Sequence, residues 1–390
     1  MRERNYKKLF FLILILFILL GAVAAGIIFI RSNSVEERIN AGQNLNLLLT
    51  VHDYDKVIFC EALFFNPATQ KSVILYLPPE SWFMLESFNR YDKLEKLYQV
   101  GNPDLLREKI ERLINIKIPY QLDLSIEELG RLVDLLGGLE VFIPEPVQQK
   151  TETDYFLFEA GSVVLDGDKA QQYLKLAIPT DGEMEKAQRK QDFFKSLLVT
   201  ISQRVQSGFL LKASTQDLMY RCFKSNLTNA EFRTLIQELG KLNSESVLYR
   251  RLHGVSRLQN KEYIFFPNDQ GEQLRQTMGI AMEYLRENNQ LRPEDLIVTL
   301  EILNGTDIPF RARDTAKIYR KYGYEVLRED NAPQKPVANT VIIDHKGNEK
   351  VAKEVAAIIK CKCIETAPKE KPSVDISVII GLDFDGQYCK

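Results

Sequence analysis

The sequence predicts an α/β protein in three parts: an N-terminal transmembrane helix, a larger α/β domain and a small α/β domain. Three observations carry this prediction. Leu9–Ile30 is an unbroken apolar run, short strand-like segments then alternate with helical ones, and the same alternation restarts after a polar linker. We therefore divide the chain into a cytoplasmic tip and anchor at 1–35, a domain at 36–288, a linker at 289–295 and a second domain at 296–390.

The apolar run Leu9–Ile30 is 22 residues long, and about 20 are enough to cross the hydrocarbon core of a bilayer as a helix. Only Arg31 follows it immediately, whereas four cations precede it: Arg2, Arg4, Lys7 and Lys8. The positive-inside rule predicts a single-pass protein of the inner (cytoplasmic) membrane, with its N-terminus in the cytoplasm and its bulk outside. The alternative is a cleaved signal peptide, because Ala22–Ala24 resembles a cleavage site.

The composition is that of an ordinary globular protein, with 45% hydrophobic and 27% charged residues. A formal net charge of −2 provides no general attraction to nucleic acid, and we predict no nucleic-acid partner. No histidine or cysteine spacing indicates zinc. Five cysteines are an odd number for an exported chain, and a bridge from Cys389 to Cys361 or Cys363 is one possibility.

The most informative stretch is Leu122–Pro146, which predicts a helix, a tight reversal and a strand. Ser125 is a suitable N-cap, and apolar residues recur at helical spacing from Ile126 to Leu136. The pair Gly137–Gly138 predicts the end of the helix, since glycine adopts the left-handed conformation at little cost. The alternation that follows, at Leu139, Val141 and Ile143, predicts a short strand.

The other elements of the larger domain follow from the same patterns. The predicted strands are Leu45–Val51, Val57–Phe65, Ser72–Leu77, Ile116–Leu124 and Val255–Leu258. The predicted helices are Tyr91–Ile114 with a break at Gly101, Met184–Arg204, Thr215–Phe223, Asn229–Leu242 and Gln270–Asn288. In the small domain we predict strands at Leu296–Leu303, Tyr324–Arg328, Thr340–Asp344 and Val374–Gly381, and helices at Arg313–Tyr322 and Glu349–Lys360.

The stretch from Asp123 to Pro146 resembles the most recognisable block of the LytR-CpsA-Psr family, as do Leu165–Tyr173 and Ser225–Gly240. The run Val298–Thr306, followed by a helix, resembles the small domain at the C-terminus of many members. The resemblance implies a membrane-anchored cell-envelope protein with an α/β/α domain around a central mixed sheet. It also implies a pocket for a polyprenyl tail, with arginines and aspartates around a diphosphate and Mg²⁺, for glycan transfer to the cell wall.

The motifs that should hold the diphosphate and metal are altered in this chain. Where the family has Arg-Ser-Asp-Thr, this chain has Lys56–Phe59, with Ile58 replacing the aspartate. Where the family has Ile-Pro-Arg-Asp-Thr, Leu77–Ser81 offers Glu80. Of the arginine-rich motifs, Tyr173–Ala177 keeps Lys175, and the segment 186–191 keeps Lys186, Arg189 and Gln191.

These losses predict a catalytically degenerate protein that acts by binding polyprenyl-linked glycan, peptidoglycan or an envelope protein partner. Lysine does not reproduce a guanidinium fork, and isoleucine does not coordinate Mg²⁺. The candidate lipid- or phosphate-binding residues are Lys56, Lys175, Lys186, Arg189 and Gln191. Their alternative role is a solvated helix face. In this interpretation the chain needs no cofactor.

The competing interpretation is an active Mg-dependent phosphotransferase. In it, Glu80 binds the metal while Lys175, Lys186 and Arg189 hold the diphosphate. Transcriptional regulation, suggested only by the family's historical name, is a weaker alternative. Aromatic residues could line a lipid pocket or belong to the core; they are Phe59, Phe64, Phe65, Trp82, Phe83, Phe156 and Phe158. The small domain shows no catalytic constellation and is predicted to bind envelope polymer or a partner.

Overall fold

The structure is a computed structural model that describes residues 33–150, 155–176, 183–259, 262–286, 298–322, 324–369 and 372–390, together with residues 14, 15 and 17. The predicted linker and nearly all of the predicted anchor Leu9–Ile30 lie outside the described residues. Within the described ranges, no helix combines the length and the apolar character needed to cross a membrane.

The larger α/β unit contains eight described α-helices and fourteen strands. The helices are α1 Ser34–Asn40, α2 Asp104–Ile114, α3 Ile126–Leu136, α4 Gly167–Lys175, α5 Glu183–Gln206, α6 Ala213–Arg221, α7 Asn229–Leu239 and α8 Glu272–Arg286. The strands are β1 Leu45–Asp53, β2 Lys56–Phe65, β3 Ser72–Tyr76, β4 Trp82–Leu85, β5 Arg90–Lys93, β6 Tyr120–Ser125, β7 Leu139–Ile143, β8 Val147–Lys150, β9 Tyr155–Phe158, β10 Gly161–Leu165, β11 Lys224–Ser225, β12 Val247–Arg251, β13 Gly254–Gln259 and β14 Glu262–Pro267.

The central sheet has six strands in the order β11-β6-β1-β2-β3-β12, and it is mixed, as predicted. The pairs β1–β6 and β3–β12 are parallel, whereas β1–β2 and β2–β3 are antiparallel. Alternate residues of β1 belong to different apolar clusters: Leu47 packs with α3, α5 and α7, and Leu48 packs with α2 and α8. Helices therefore cover both faces of the sheet.

The predicted helix, reversal and strand after Ser125 are confirmed. The Ser125 hydroxyl accepts from the Glu128 backbone N–H, and the Glu128 carboxylate accepts from the Ser125 N–H, which completes a capping box. Gly137 ends α3 with a φ of 82°, and Gly138 follows with a φ of 98°. The strand β7 then pairs antiparallel with β10.

Gly138 cannot be replaced without a clash. A Cβ atom at this position would lie 2.6 Å from Val164 Cγ1 and 3.1 Å from the Leu165 carbonyl oxygen. We expect Gly138→Ala to lower the free energy of unfolding by about 2–4 kcal/mol. The added methyl group would clash with its neighbours, and alanine is also strained in the left-handed conformation. Gly42→Ala is the control, since φ is 65° there but no described atom lies within 4 Å of the added Cβ. Chemical denaturation of both variants measures the difference, and equal losses would contradict the proposed clash.

One element prediction was wrong, and several strands, β12 among them, were not predicted. The first half of the predicted helix Tyr91–Ile114 is instead β5, which pairs with β4, followed by a 3₁₀ turn at Leu94–Leu97. The helix α2 starts only after Pro103, where Asn102 accepts from the Asp104 N–H. The strand β12 was missed because it ends in two arginines, yet Arg250 is buried.

The small unit contains α9 Arg311–Lys321, α10 Glu349–Ile358 and strands β15 Thr299–Asn304, β16 Glu325–Asn331, β17 Val341–Asp344, β18 Cys363–Thr366 and β19 Ile376–Ile380. Its sheet has the order β16-β15-β19-β17-β18 and its own apolar core. An ion pair of 2.7 Å joins Arg251, at the end of β12, to Glu325, at the start of β16.

Candidate functional site

A cavity of about 1030 Å³ lies between helix α5 and the strands β7 and β8. The Ser196 hydroxyl of α5 donates to the Glu140 carbonyl oxygen of β7 at 2.6 Å, which keeps helix and strand side by side. The described lining residues on α5 extend from Gln188 to Gln203. At 1.5 Å per residue this wall is about 22 Å long, enough for an extended ligand.

The cavity has an apolar side, away from α5, and a mostly polar side along α5 that includes Arg189, Asp192 and Lys195. Its apolar residues include Val141, Ile143, Phe158, Tyr173, Leu176 and Val199. Phe142 also lines it and is 68% exposed, which leaves a large apolar surface uncovered. Arg189 and Gln188 lie at the N-terminal end of the α5 wall. The arrangement fits an amphiphile with an anionic head and an apolar tail.

Arg189 is the sequence-predicted cation that lines this cavity. Its guanidinium donates to the Leu176 carbonyl oxygen at 3.3 Å, at the end of α4. Gln188 donates to the Asp192 carboxylate at 3.0 Å, one helical turn further along α5. Burial raises the pKa of Asp192 above its usual value. The guanidinium is half-buried, so its attraction to an anion is less screened than at an exposed site.

The other predicted binding residues are placed elsewhere among the described residues. Lys175 forms an ion pair of 2.8 Å with Asp53, and the Lys186 ammonium lies 5.5 Å from the centre of the Tyr263 ring. Lys56 is exposed at the start of β2. Gln191 is buried and donates to the Arg250 carbonyl oxygen at 2.7 Å, so it ties α5 to β12.

Glu80 does not belong to a metal-binding cluster in the described part of the chain. It is half-buried, and its charge interacts with Lys93, Glu95 and Lys190. No group of three or more histidine, cysteine, aspartate or glutamate residues within the described ranges could hold a metal ion. Ile58 has no oxygen to offer a metal, and the carboxylate of Asp53 is paired with a lysine. The donor set therefore does not fit a resident Mg²⁺ ion, which needs several oxygen ligands.

Sequence reasoning missed a buried glutamate of β2 whose charge interacts with Lys190 of α5. Glu61 of β2 is fully buried, and neither carboxylate oxygen has a hydrogen-bond partner among the described residues. Burial raises the pKa of Glu61 well above its usual value, although the charge of Lys190 partly opposes this. Burial, and then repulsion from Arg189, lowers the pKa of Lys190 to about 7. Lys190 donates to the Leu174 carbonyl oxygen. The sequence feature that could have revealed this site is a glutamate within the otherwise apolar strand β2.

Most of the predicted pocket aromatics belong to the core instead. Phe59 makes edge contacts with Phe193 and Phe194, and Phe64, Phe65, Phe83 and Phe156 are buried. Trp82 lies against Phe266 on a separate hairpin. Of the seven aromatic side chains considered from the sequence, Phe158 lines the cavity.

Comparison with known proteins settles the family. The model of the LytR_cpsA_psr family matches residues 63–279, more than half of the 390 residues. The chain belongs to the LytR-CpsA-Psr family. A second model, described as LytR cell envelope-related transcriptional attenuator, matches residues 297–384.

Curated relatives are similar over part of their length. A probable cell wall biosynthesis protein, LcpB, of Corynebacterium glutamicum is 26% identical over 134 residues, 34% of this chain and 32% of that protein. A Bacillus cereus polyisoprenyl-teichoic acid–peptidoglycan teichoic acid transferase, TagU, is 22% identical over 181 residues, 43% of this chain and 58% of that protein. The matches thus span between about a third and somewhat over half of these relatives.

Solved structures of the family share the fold. The crystal structure of B. subtilis TagV superposes with a TM-score of 0.53 at 17% identity, covering 64% of this chain and 99% of that one. The protein gbs0355 from Streptococcus agalactiae gives a TM-score of 0.53 at 16% identity, covering 67% and 94%. At these identities the likeness establishes the α/β architecture alone.

Proposed function

We propose that this LytR-CpsA-Psr protein is a single-pass envelope protein that binds a polyprenyl-phosphate-linked glycan and has lost most of the family's transfer chemistry. The observation that carries the proposal is the cavity beside α5, about 22 Å long, with an apolar side opposite α5 and Arg189 at one end of the helix. A polyprenyl tail would occupy the apolar part, and its phosphate would pair with the guanidinium.

The proposed loss of catalysis rests on what surrounds the residual motif residues. Ile58 offers no oxygen to a metal, Lys175 is engaged by Asp53, and Glu80 belongs to no group of three or more described side chains that could hold a metal ion. Removing one well-placed electrostatic stabiliser costs about 10²–10³ in rate, so several changes together should leave little turnover.

The proposed location follows from the sequence and from the relatives. The apolar run Leu9–Ile30 has the length and the flanking charges of a transmembrane anchor. LcpB and TagU are named for cell-wall biosynthesis and for transfer of teichoic acid to peptidoglycan, both of which take place in the cell envelope. The described domains would then face the extracytoplasmic side, where lipid-linked glycan and peptidoglycan are available. An envelope protein partner for the small unit also belongs to this proposal.

The second candidate function is active transfer of a polyprenyl-diphosphate-linked glycan. The observation that favours it is the name of the relative TagU, a transferase. It requires Mg²⁺ held by Glu80 with Lys175, Lys186 and Arg189 around the diphosphate; of these four described residues, Arg189 is the one that lines the cavity. Glu80→Gln would abolish turnover in this case and would leave lipid binding unchanged in the first.

A comparison of two lipids tests the binding proposal. The full chain in detergent micelles should bind polyprenyl phosphate, and Arg189→Ala should weaken this by about 10–100-fold, because a charge-assisted hydrogen bond is lost. Binding of the uncharged polyprenol should remain unchanged in the same variant. Lys56→Ala is the matched control, since Lys56 is exposed and does not line the cavity.

Two results would contradict the proposal. One is equal binding of polyprenyl phosphate by the wild type and Arg189→Ala. The other is Mg²⁺-dependent release or transfer of the glycan phosphate by the purified chain, lost in both Arg189→Ala and Glu80→Gln, which would establish the transferase instead.

A further inference from the structure

The small unit brings two cysteines together that are far apart in the sequence. Cys361 follows α10 directly, and its backbone N–H donates to the Ala356 carbonyl oxygen at 2.9 Å. Cys389 reaches the same place from the other side, because its N–H donates to the Ile359 carbonyl oxygen at 2.8 Å. Backbone hydrogen bonds on both cysteines therefore fix their positions at the end of α10.

The two thiols also contact each other. The Cys361 and Cys389 side chains interact with each other, and both interact with Thr340, at the start of β17. The Cys361 sulfur donates to the Thr340 carbonyl oxygen at 3.2 Å. Cys363, by contrast, belongs to β18, where its backbone pairs with Val341. The geometry selects Cys361 over Cys363 as the neighbour of Cys389, a choice that the sequence left open.

The environments of the two thiols are unequal. Cys361 is 8% exposed, whereas Cys389 is half-buried and accessible to a small reagent. The interaction with Cys361 lowers the pKa of the Cys389 thiol, against the effect of burial. The same contact, together with burial, raises the pKa of Cys361. An accessible thiol with a lowered pKa next to a buried thiol is the arrangement of an attacking and a resolving cysteine.

We propose that Cys361 and Cys389 form a reversible disulfide that fastens the segment 383–390 to the end of helix α10. The oxidant is a disulfide from outside the chain, either a small-molecule disulfide or that of an envelope thiol oxidoreductase. The Cys389 thiolate attacks one of its sulfurs and forms a mixed disulfide, which releases the first thiol. Cys361 then attacks Cys389 and releases the second thiol, so the two cysteine protons end on the two thiols that leave.

The disulfide would reinforce contacts that are already present. The Lys360 ammonium lies 4.0 Å from the centre of the Tyr388 ring, and Arg311 donates to the Asp385 carbonyl oxygen at 3.1 Å. Phe384 pairs with Cys389 in an isolated bridge and is buried in the core of the small unit. Oxidation would hold this segment in place, and reduction would leave it attached by these weaker contacts alone.

This inference does not depend on the proposed lipid binding, and its test uses a different readout. The full chain, purified under reducing conditions and incubated with a series of glutathione redox buffers, is quenched with iodoacetamide and mapped by mass spectrometry. We expect a crosslinked Cys361–Cys389 peptide, two hydrogen atoms lighter than the reduced pair, with Cys60, Cys222 and Cys363 alkylated when the quench is made in denaturant. Cys363→Ser should retain the crosslink, while Cys361→Ser should accumulate a glutathione adduct on Cys389.

Three results would overturn the proposal. They are thiols that stay fully alkylated in excess oxidised glutathione, a crosslink from Cys389 to Cys363, and a glutathione adduct on Cys389 that persists in the wild type. The mapping is carried out on the wild-type chain, so it does not depend on the folding of a variant. Polyprenyl phosphate binding is measured on the same preparation, so the disulfide proposal and the lipid-binding proposal can fail independently of each other.

Discussion

Val199→Trp should reduce the binding of long-chain polyprenyl phosphate at least tenfold while leaving the binding of geranyl phosphate nearly unchanged. Val199 lines the cavity on α5, ten residues after Arg189, which corresponds to about 15 Å along the helix. An indole at this point narrows the cavity. It obstructs a tail that extends past it but not a short tail that ends nearer to the guanidinium. Titrations in detergent micelles, followed by tryptophan fluorescence, measure both affinities.

Val164→Trp is the control for this experiment. Val164 lies on β10, is 60% exposed and is not among the described lining residues. The same substitution therefore adds the same indole without entering the cavity, and both lipids should bind as they do to the wild type. If Val199→Trp weakens the short and the long lipid equally, the phosphate does not sit at Arg189, and the orientation proposed for the tail is wrong.

The central sheet and its covering helices could be predicted because their sequence patterns are local. The segment after Ser125 contains its own N-cap, its own apolar spacing and its own glycine stop, and the structure confirms each of them. The charge-rich region around Arg90 was predicted wrongly because its structure depends on pairing with another segment rather than on a local pattern. Its strands β4 and β5 are stabilised by pairing with each other, which helical periodicity in the sequence does not report.

The candidate site could be predicted only in part, because it depends on which helix faces which strand. The motif comparison found Arg189, which lines the cavity. It did not find Phe142, because an exposed aromatic residue on a short strand has no distinctive sequence pattern. It grouped Lys175 with Arg189, although an ion pair with Asp53 engages the lysine. Partners that come from distant segments of the chain decide which cations remain available to a ligand.

Glu61→Met should raise the free energy of unfolding by about 1–3 kcal/mol at pH 8. Glu61 is fully buried, and within the described residues its carboxyl oxygens have no hydrogen-bond partner, so the folded chain carries the full cost of desolvating this group. Methionine has a similar shape and length and no such cost. Replacing buried ionisable groups by apolar residues of similar volume is often stabilising.

The gain should be larger at pH 8 than at pH 5. The pKa of Glu61 is raised in the folded chain, so the chain is most stable, as far as this carboxyl is concerned, below the pKa that the group has when unfolded. As the pH rises above that value, the unfolded chain releases the proton while the folded chain retains it, and stability is lost. Glu61→Met removes this pH dependence, and Glu61→Gln should remove it as well. The glutamine variant keeps an unpaired polar group in the core, so it should show little gain in stability at pH 5 and a smaller gain than Glu61→Met at pH 8.

Denaturant unfolding of the three proteins at pH 5 and pH 8 separates these effects. The opposite result, a loss of about 3–5 kcal/mol in Glu61→Met, would mean that Glu61 is ionised and paired with Lys190 in the folded chain. Lys190 lies next to Arg189 on α5, so an ionised pair would also fix the helix that carries the guanidinium. In that case Glu61→Met should weaken polyprenyl phosphate binding together with stability. If Glu61 is protonated, the lipid affinity should remain unchanged while stability rises.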